Sequence, residues 1–150
     1  MDGTRVEWSA EIKYLGLLFD EKLLFRSHIE NTLVKCSVLV RCLYPLICRR
    51  SRLSRVNKLA VYNQIIAPAI FYAAPVWESI AQTHKNKIQI AQNRILRMIL
   101  NRPIETEIPD LHIKANIQKI IDQIAQLENK FVEECNHSEH ALISNLYIVG

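Results

Sequence analysis

The apolar positions of this chain switch period once, near residue 26. Before that point they behave as strand: Val6 and Trp8 stand between polar neighbours, and Tyr14-Leu15-Gly16-Leu17-Leu18-Phe19 is a short apolar run ahead of the charged turn Asp20-Glu21-Lys22. A β-hairpin is the simplest account. Gly16 inside a strand predicts a bulge or a close backbone approach. From Ser27 onward the spacing is helical. Ser27-His28-Ile29-Glu30 fits a capping box, and Ile29, Leu33, Cys36, Val40, Leu43 and Ile47 follow in steps of four and three on one face. Pro45 predicts a distorted last turn.

A second helix is expected from a Ser54 cap to about Ala67, with Leu59, Tyr62 and Ile66 on one face and Pro68 breaking or kinking it. A third fits Thr83 to Leu100, with Ile88, Ala91, Ile95 and Met98 inward, Lys85, Lys87, Arg94 and Arg97 outward or at the edges, and Pro103 at its end. A fourth runs from Asn116 to about Cys135 on the stripe Ile117, Ile120, Ile124, Leu127 and Phe131, and a short last helix starts at Ser138. The expected fold is mainly α, a short N-terminal β-hairpin followed by an irregular helical bundle. Its parts are a hairpin at 1–26, a bundle at 27–104 and C-terminal helices at 105–150.

Composition agrees with this picture. With 150 residues the chain has the size of one ordinary domain, its 49% hydrophobic content can fill a core, and 3 Gly with 5 Pro favour long helices. The longest apolar run, Ile65 to Trp77, has 13 residues and two prolines, so it is expected in the core and not in a membrane. Cys36, Cys42, Cys48 and Cys135 form no Cys-x-x-Cys pair, and no secretory signal opens the chain, which points to reduced thiols in an intracellular compartment.

Charge changes the picture most. Between Asn31 and Ile104 the chain carries twelve Lys or Arg residues and one acid, Glu78, a regional charge of +11. Residues 1–30 carry −2 and residues 105–150 carry −5. Positive charge gathered in one central stretch suits a polyanionic partner. Its densest part is Arg49, Arg50, Arg52, Arg55 and Lys58. The three arginines at 49–52 lie between two helices, free to meet phosphates, whereas Arg55 and Lys58 oppose the dipole of the second helix. A solvated loop and an acidic protein partner are the competing accounts. Tyr44 and Tyr62 flank the segment, and their helical spacing places them in the core ahead of any base-stacking role.

Other chemistry is thin. Cys135-Asn136-His137-Ser138-Glu139-His140 offers three zinc-type ligands and no fourth, so no metal site is expected. Metal-assisted phosphoryl transfer needs carboxylates converging on one site, which the central stretch lacks, and there is no Gly-rich phosphate loop or Gly-x-Ser-x-Gly. Neither a cofactor nor catalysis by the chain alone is expected.

The order of motifs is specific. Lys13-Tyr14-Leu15-Gly16, Asp20 and His28-Ile29 are followed by Leu43-Tyr44-Pro45-Leu46, Ser51, Leu53-Ser54, Lys58-Leu59 and Tyr62. Then come Pro68, Tyr72, Ala74-Pro75-Val76-Trp77, Lys87, Gln89, Gln92-Asn93, Leu96-Arg97 and Pro103, with Asp110-Leu111-His112 beyond. Over about residues 3–146 this series resembles non-LTR retrotransposon reverse transcriptases, particularly the jockey-like group. The resemblance implies that the hairpin is similar to a primer grip, through Lys13, Tyr14, Leu15 and Gly16, and the helices to the thumb that holds template and primer. Contact with an RNA·DNA hybrid or another duplex through Arg49, Arg50, Arg52, Arg55, Lys58, Lys85, Lys87, Arg94 and Arg97 follows as an expectation. The family's catalytic aspartates, in a Tyr-x-Asp-Asp-type motif, lie upstream of the hairpin, and no such motif occurs here. The resemblance therefore implies a truncated element copy, or a host gene derived from one, inactive as a polymerase. A protein-interaction module and a relic are the alternatives. With no palm beneath them, Val6, Trp8, Leu15 and Leu17 would lack part of their cover, and a homodimer through the hairpin is expected.

Overall fold

In the computed structural model, which describes residues 9–78 and 80–137, strand β1 (Glu11–Tyr14) pairs antiparallel with β2 (Leu17–Asp20), Tyr14 opposite Leu17 and Glu11 opposite Asp20. Two residues, Leu15 (φ 46°) and Gly16 (φ 83°), make the turn. Both central residues are left-handed, which matches the twist of the flanking strands. The apolar run Tyr14–Phe19 is thus two strand ends and a turn, not one strand. Gly16 does make a close approach: a Cβ there would lie 3.4 Å from the Tyr72 ring. The Tyr72 hydroxyl donates to the Leu15 carbonyl and pins the turn. Asp20 closes the next turn by accepting from the Lys22 and Leu24 amides at 3.1 and 2.8 Å. Val6 and Trp8 lie outside the described residues.

Helix α1 (Arg26–Ile47) begins one residue before the expected cap. Its N-cap is Phe25, in the left-handed region and without a side-chain bond, so the capping box does not form. Ser27 lies inside the first turn and donates to Glu11 of the hairpin instead, while Glu30 pairs with Arg26 at 3.2 Å. The predicted apolar face holds, with Ile29, Cys36 and Ile47 buried. Tyr44 does not join it: that ring is 53% exposed, displaced round the helix from the stripe of Val40, Leu43 and Ile47.

Helix α2 (Arg55–Val61) starts at the predicted cap, Ser54 accepting from the Asn57 amide at 3.2 Å. It runs through a π-helical turn, Tyr62–Ile66, into α3 (Ala67–Phe71). Pro68 therefore widens the helix just before itself and does not end it. A proline supplies no amide and clashes with the carbonyl four residues back, and the wider turn, with Ala67 N–H bonded to the Tyr62 carbonyl, accommodates both. A single turn, α4 (Ala74–Trp77), leads to the long α5 (Gln82–Leu100), which ends at left-handed Asn101 before Pro103 is reached.

Helix α6 (Ile108–Ala115) was not anticipated. Asn116, expected to start a helix, is its left-handed C-cap, and α7 (Ile120–Asn136) begins later. The first half of the predicted α7 stripe is buried, while Leu127 and Phe131 are 38% and 41% exposed. The expected helix at Ser138 lies outside the described residues. β2 packs on α1, α1 on α3 and α5, α4 on α7, and α5 on α6 and α7. Trp77, Tyr62, Ile66, Ile88, Leu96 and Leu111 fill the interior. No helix among the described residues is long and apolar enough to cross a membrane.

Candidate nucleic-acid interface

The connection between α1 and α2 is held from inside. The carbonyl of Cys48, at the C-cap of α1, accepts from the Ser51 amide at 3.2 Å and from Lys58 Nζ at 2.7 Å. Ser51 Oγ in turn accepts from the Leu53 amide at 3.1 Å. Carbonyls at a helix end need partners, and these bonds satisfy one while fixing the path of the loop. Arg49, Arg50, Arg52 and Arg55 all stand exposed on it. Lys58 does not. It is 6% exposed, and its ammonium serves the loop's geometry and not its surface. Sequence reading grouped it with the arginines because spacing along a helix says nothing of a neighbouring carbonyl across the chain.

The second predicted group lies on α5 and is also divided. Lys85 pairs with Glu78, the single acid of the central stretch, so both charges are largely neutralised locally. Glu128 of α7 stands near this pair; burial, then the charge of Glu78, pushes its carboxyl up. Lys87 and Arg94 are exposed and flank an apolar groove between α1 and α5, floored by Leu33, Cys36, Val40 and Ile95. Arg97 is half-buried, with Nη2 donating to the Thr106 carbonyl at 3.1 Å. Burial pushes the Cys36 thiol up to about 11, an inert core group as expected. Lys13, Tyr14 and Leu15 are exposed at the hairpin tip beside half-buried Gly16.

A buried polar network that sequence reading did not identify supports the α5 surface. Gln92 donates to Tyr62 Oη at 3.1 Å and to the Gln118 carbonyl at 3.0 Å. Gln89 and Gln92 both accept the Ile120 amide, at 3.0 and 2.8 Å, capping α7 from another helix. His112 bridges the Ile117 carbonyl and Asn93 Oδ1, each at 2.9 Å. Burial pushes the Tyr62 hydroxyl up to about 12, so it remains a neutral partner. The one available signal was three amide residues within five positions of an otherwise amphipathic helix. Among the described residues no three His, Cys, Asp or Glu side chains gather to hold a metal ion.

Comparison with known proteins bears on what this surface belongs to. The chain is 32% identical over all 150 residues to the RNA-directed DNA polymerase from mobile element jockey of Drosophila funebris. It is 31% identical over 146 residues to the polymerase of the same element in Drosophila melanogaster, and 30% over 134 residues to the probable RNA-directed DNA polymerase from transposon X-element of that species. It spans only 16%, 16% and 15% of those proteins' lengths. No protein-family model and no solved structure matches it. Over nearly its whole length the chain therefore matches one segment of the jockey-like non-LTR retrotransposon reverse transcriptases.

Proposed function

We propose that this segment is a thumb-like module that grips nucleic acid duplex, in the parent polymerase an RNA·DNA hybrid, and supplies no catalytic site itself. The observation that carries the reading is the loop at 49–55: four exposed arginines on a backbone fixed by internal hydrogen bonds, with no carboxylate in the segment to oppose them. Phosphate contacts of this kind position a duplex without reading its sequence. Lys87 and Arg94 extend the positive surface along α5. The hairpin tip at Lys13, Tyr14, Leu15 and Gly16 is the primer-grip-like part.

Binding of the purified chain to RNA·DNA hybrid, double-stranded DNA and single strands across a salt series tests this. If about four charges each neutralise a phosphate, log K falls against log[salt] with a slope of roughly −3 to −4. Changing Arg49, Arg50 and Arg52 to Ala flattens it by about two. An unchanged slope moves the site elsewhere. Primer extension on a primed RNA template with magnesium or manganese yields no product above a buffer control, and robust extension overturns the non-catalytic half of the reading.

A second reading, a protein-interaction module that self-associates, is favoured by the hairpin, where Ile12, Tyr14 and Leu15 are 61%, 64% and 70% exposed.

A further inference from the structure

A second basic site lies at the far end of α5, built by different elements from the arginine loop. Asn101 turns the chain in the left-handed region (φ 52°), and the Arg102 amide bonds back to the Arg97 carbonyl at 2.9 Å. That reversal sets Arg102 beside Arg97. Together with Arg94 they line a recess of about 440 Å³ whose other walls include Ile90, Ile104 and Ile108. Among the described residues no carboxylate lines it, although Glu105 and Glu107 lie on the same connection.

Three arginines lining one recess bring like charges together, and an anion among them lowers that cost. Arg97 carries a further sign. Its Nη2 is committed to the Thr106 carbonyl, while its Nε–H is buried with no acceptor among the described residues. An unpaired buried donor is costly, and a small shift of the side chain toward a bound phosphate oxygen relieves that cost. The isoleucines ask for something else. Ile104 is 78% exposed, Ile90 48% and Ile108 40%, apolar surface that a phosphate by itself leaves uncovered. A ligand with an anionic end and a flat apolar face uses both halves. An unpaired nucleotide is such a ligand, because every base has a stacking face and guanidinium planes add to it.

We infer that this recess holds one unpaired nucleotide, its phosphate against Arg94, Arg97 and Arg102 and its base on Ile90, Ile104 and Ile108. The inference rests on the nucleic-acid reading and deepens it: the arginine loop grips duplex, and the α5 recess takes a single-stranded neighbour.

The test is NMR of the full chain labelled at isoleucine methyls and arginine Nε, titrated with tetrathymidylate, inorganic phosphate, hexaglutamate peptide and blunt RNA·DNA hybrid. Tetrathymidylate shifts the Ile104 and Ile108 methyls and the Arg97 Nε–H, whereas phosphate shifts only arginine signals. Arg102→Ala weakens tetrathymidylate binding about tenfold or more and leaves blunt hybrid binding within about threefold. Ile104→Ala, at an exposed position, weakens tetrathymidylate about fivefold and leaves phosphate binding unchanged. Unaltered circular dichroism shows that each variant folds. If tetrathymidylate leaves these signals unmoved while blunt hybrid still binds through Arg49, Arg50 and Arg52, the recess inference falls and the duplex reading stands. If neither binds, both fall. Hexaglutamate moving the methyls as strongly as tetrathymidylate identifies a protein-docking site and overturns the inference.

Discussion

His28 is the residue on which the hairpin's attachment turns. It is 3% exposed at the start of α1, tilted against Trp77 with ring centroids 6.2 Å apart, and its Nδ1 accepts the Leu18 amide at 3.5 Å. An acceptor nitrogen is a neutral one. Burial, and then the charge of Lys35, lowers the pKa of His28 below its ordinary value. The unfolded chain, with an ordinary histidine near 6.5, therefore binds a proton that the folded chain resists. The stability contributed by neutral His28 is complete above that value and is lost as pH falls below it, until the folded group also protonates. For one proton the slope is at most about 1.4 kcal/mol per pH unit. Thermal melts between pH 7.5 and 5 check this: the wild type loses stability over that range, and His28→Gln, which keeps an acceptor without titrating, gives a flatter profile. Parallel profiles assign the acid sensitivity to another group.

At the scale of elements, stability concentrates where α7 meets α5. Lys119 gives α7 no side-chain cap, so its first amide depends on Gln89 and Gln92. Gln92→Leu keeps the volume but removes the donor to Gln118 and Tyr62 and one acceptor of Ile120. It is expected to cost about 2–4 kcal/mol and to raise hydrogen exchange in α7 before the rest of the bundle. Leu127→Ala, on the exposed half of the same helix, is expected to cost under about 1 kcal/mol. The long elements were legible in the sequence because α1 and α5 each repeat their apolar positions over several turns. The short ones were not. In α6 the start signals, Pro109 and Asp110 in the first turn, are present, but eight residues are too few to show a period, and Asn116 suits a helix start as readily as the left-handed C-cap it occupies. The arginine loop was visible as charge density. What charge density could not show was that Lys58 turns inward to the Cys48 carbonyl and Lys85 to Glu78, since both depend on tertiary neighbours.

At the scale of the whole molecule, the described residues cover the hairpin on one side only. A two-residue turn makes Tyr14 and Leu17 a hydrogen-bonded pair, so the Leu18 amide faces away from β1, where His28 takes it. By the same register Lys13 turns its backbone groups to the outer edge of β1. Ile12, Tyr14, Leu17 and Phe19 share one face. Leu17, expected to lack cover, is buried at 7%, and Phe19 packs against the core, but Ile12 and Tyr14 on the outer strand are largely exposed. An open strand edge beside exposed apolar side chains recruits another chain. For this chain by itself the simplest cover is a second copy, edge to edge about a two-fold axis. Light scattering over a concentration series is expected to show mass rising toward a dimer, and Ile12→Lys with Tyr14→Lys, at positions exposed enough to leave the fold intact, to return it to monomer. A double variant that still dimerises places the contact elsewhere. A wild type that stays monomeric at high concentration removes the main support for the interaction reading.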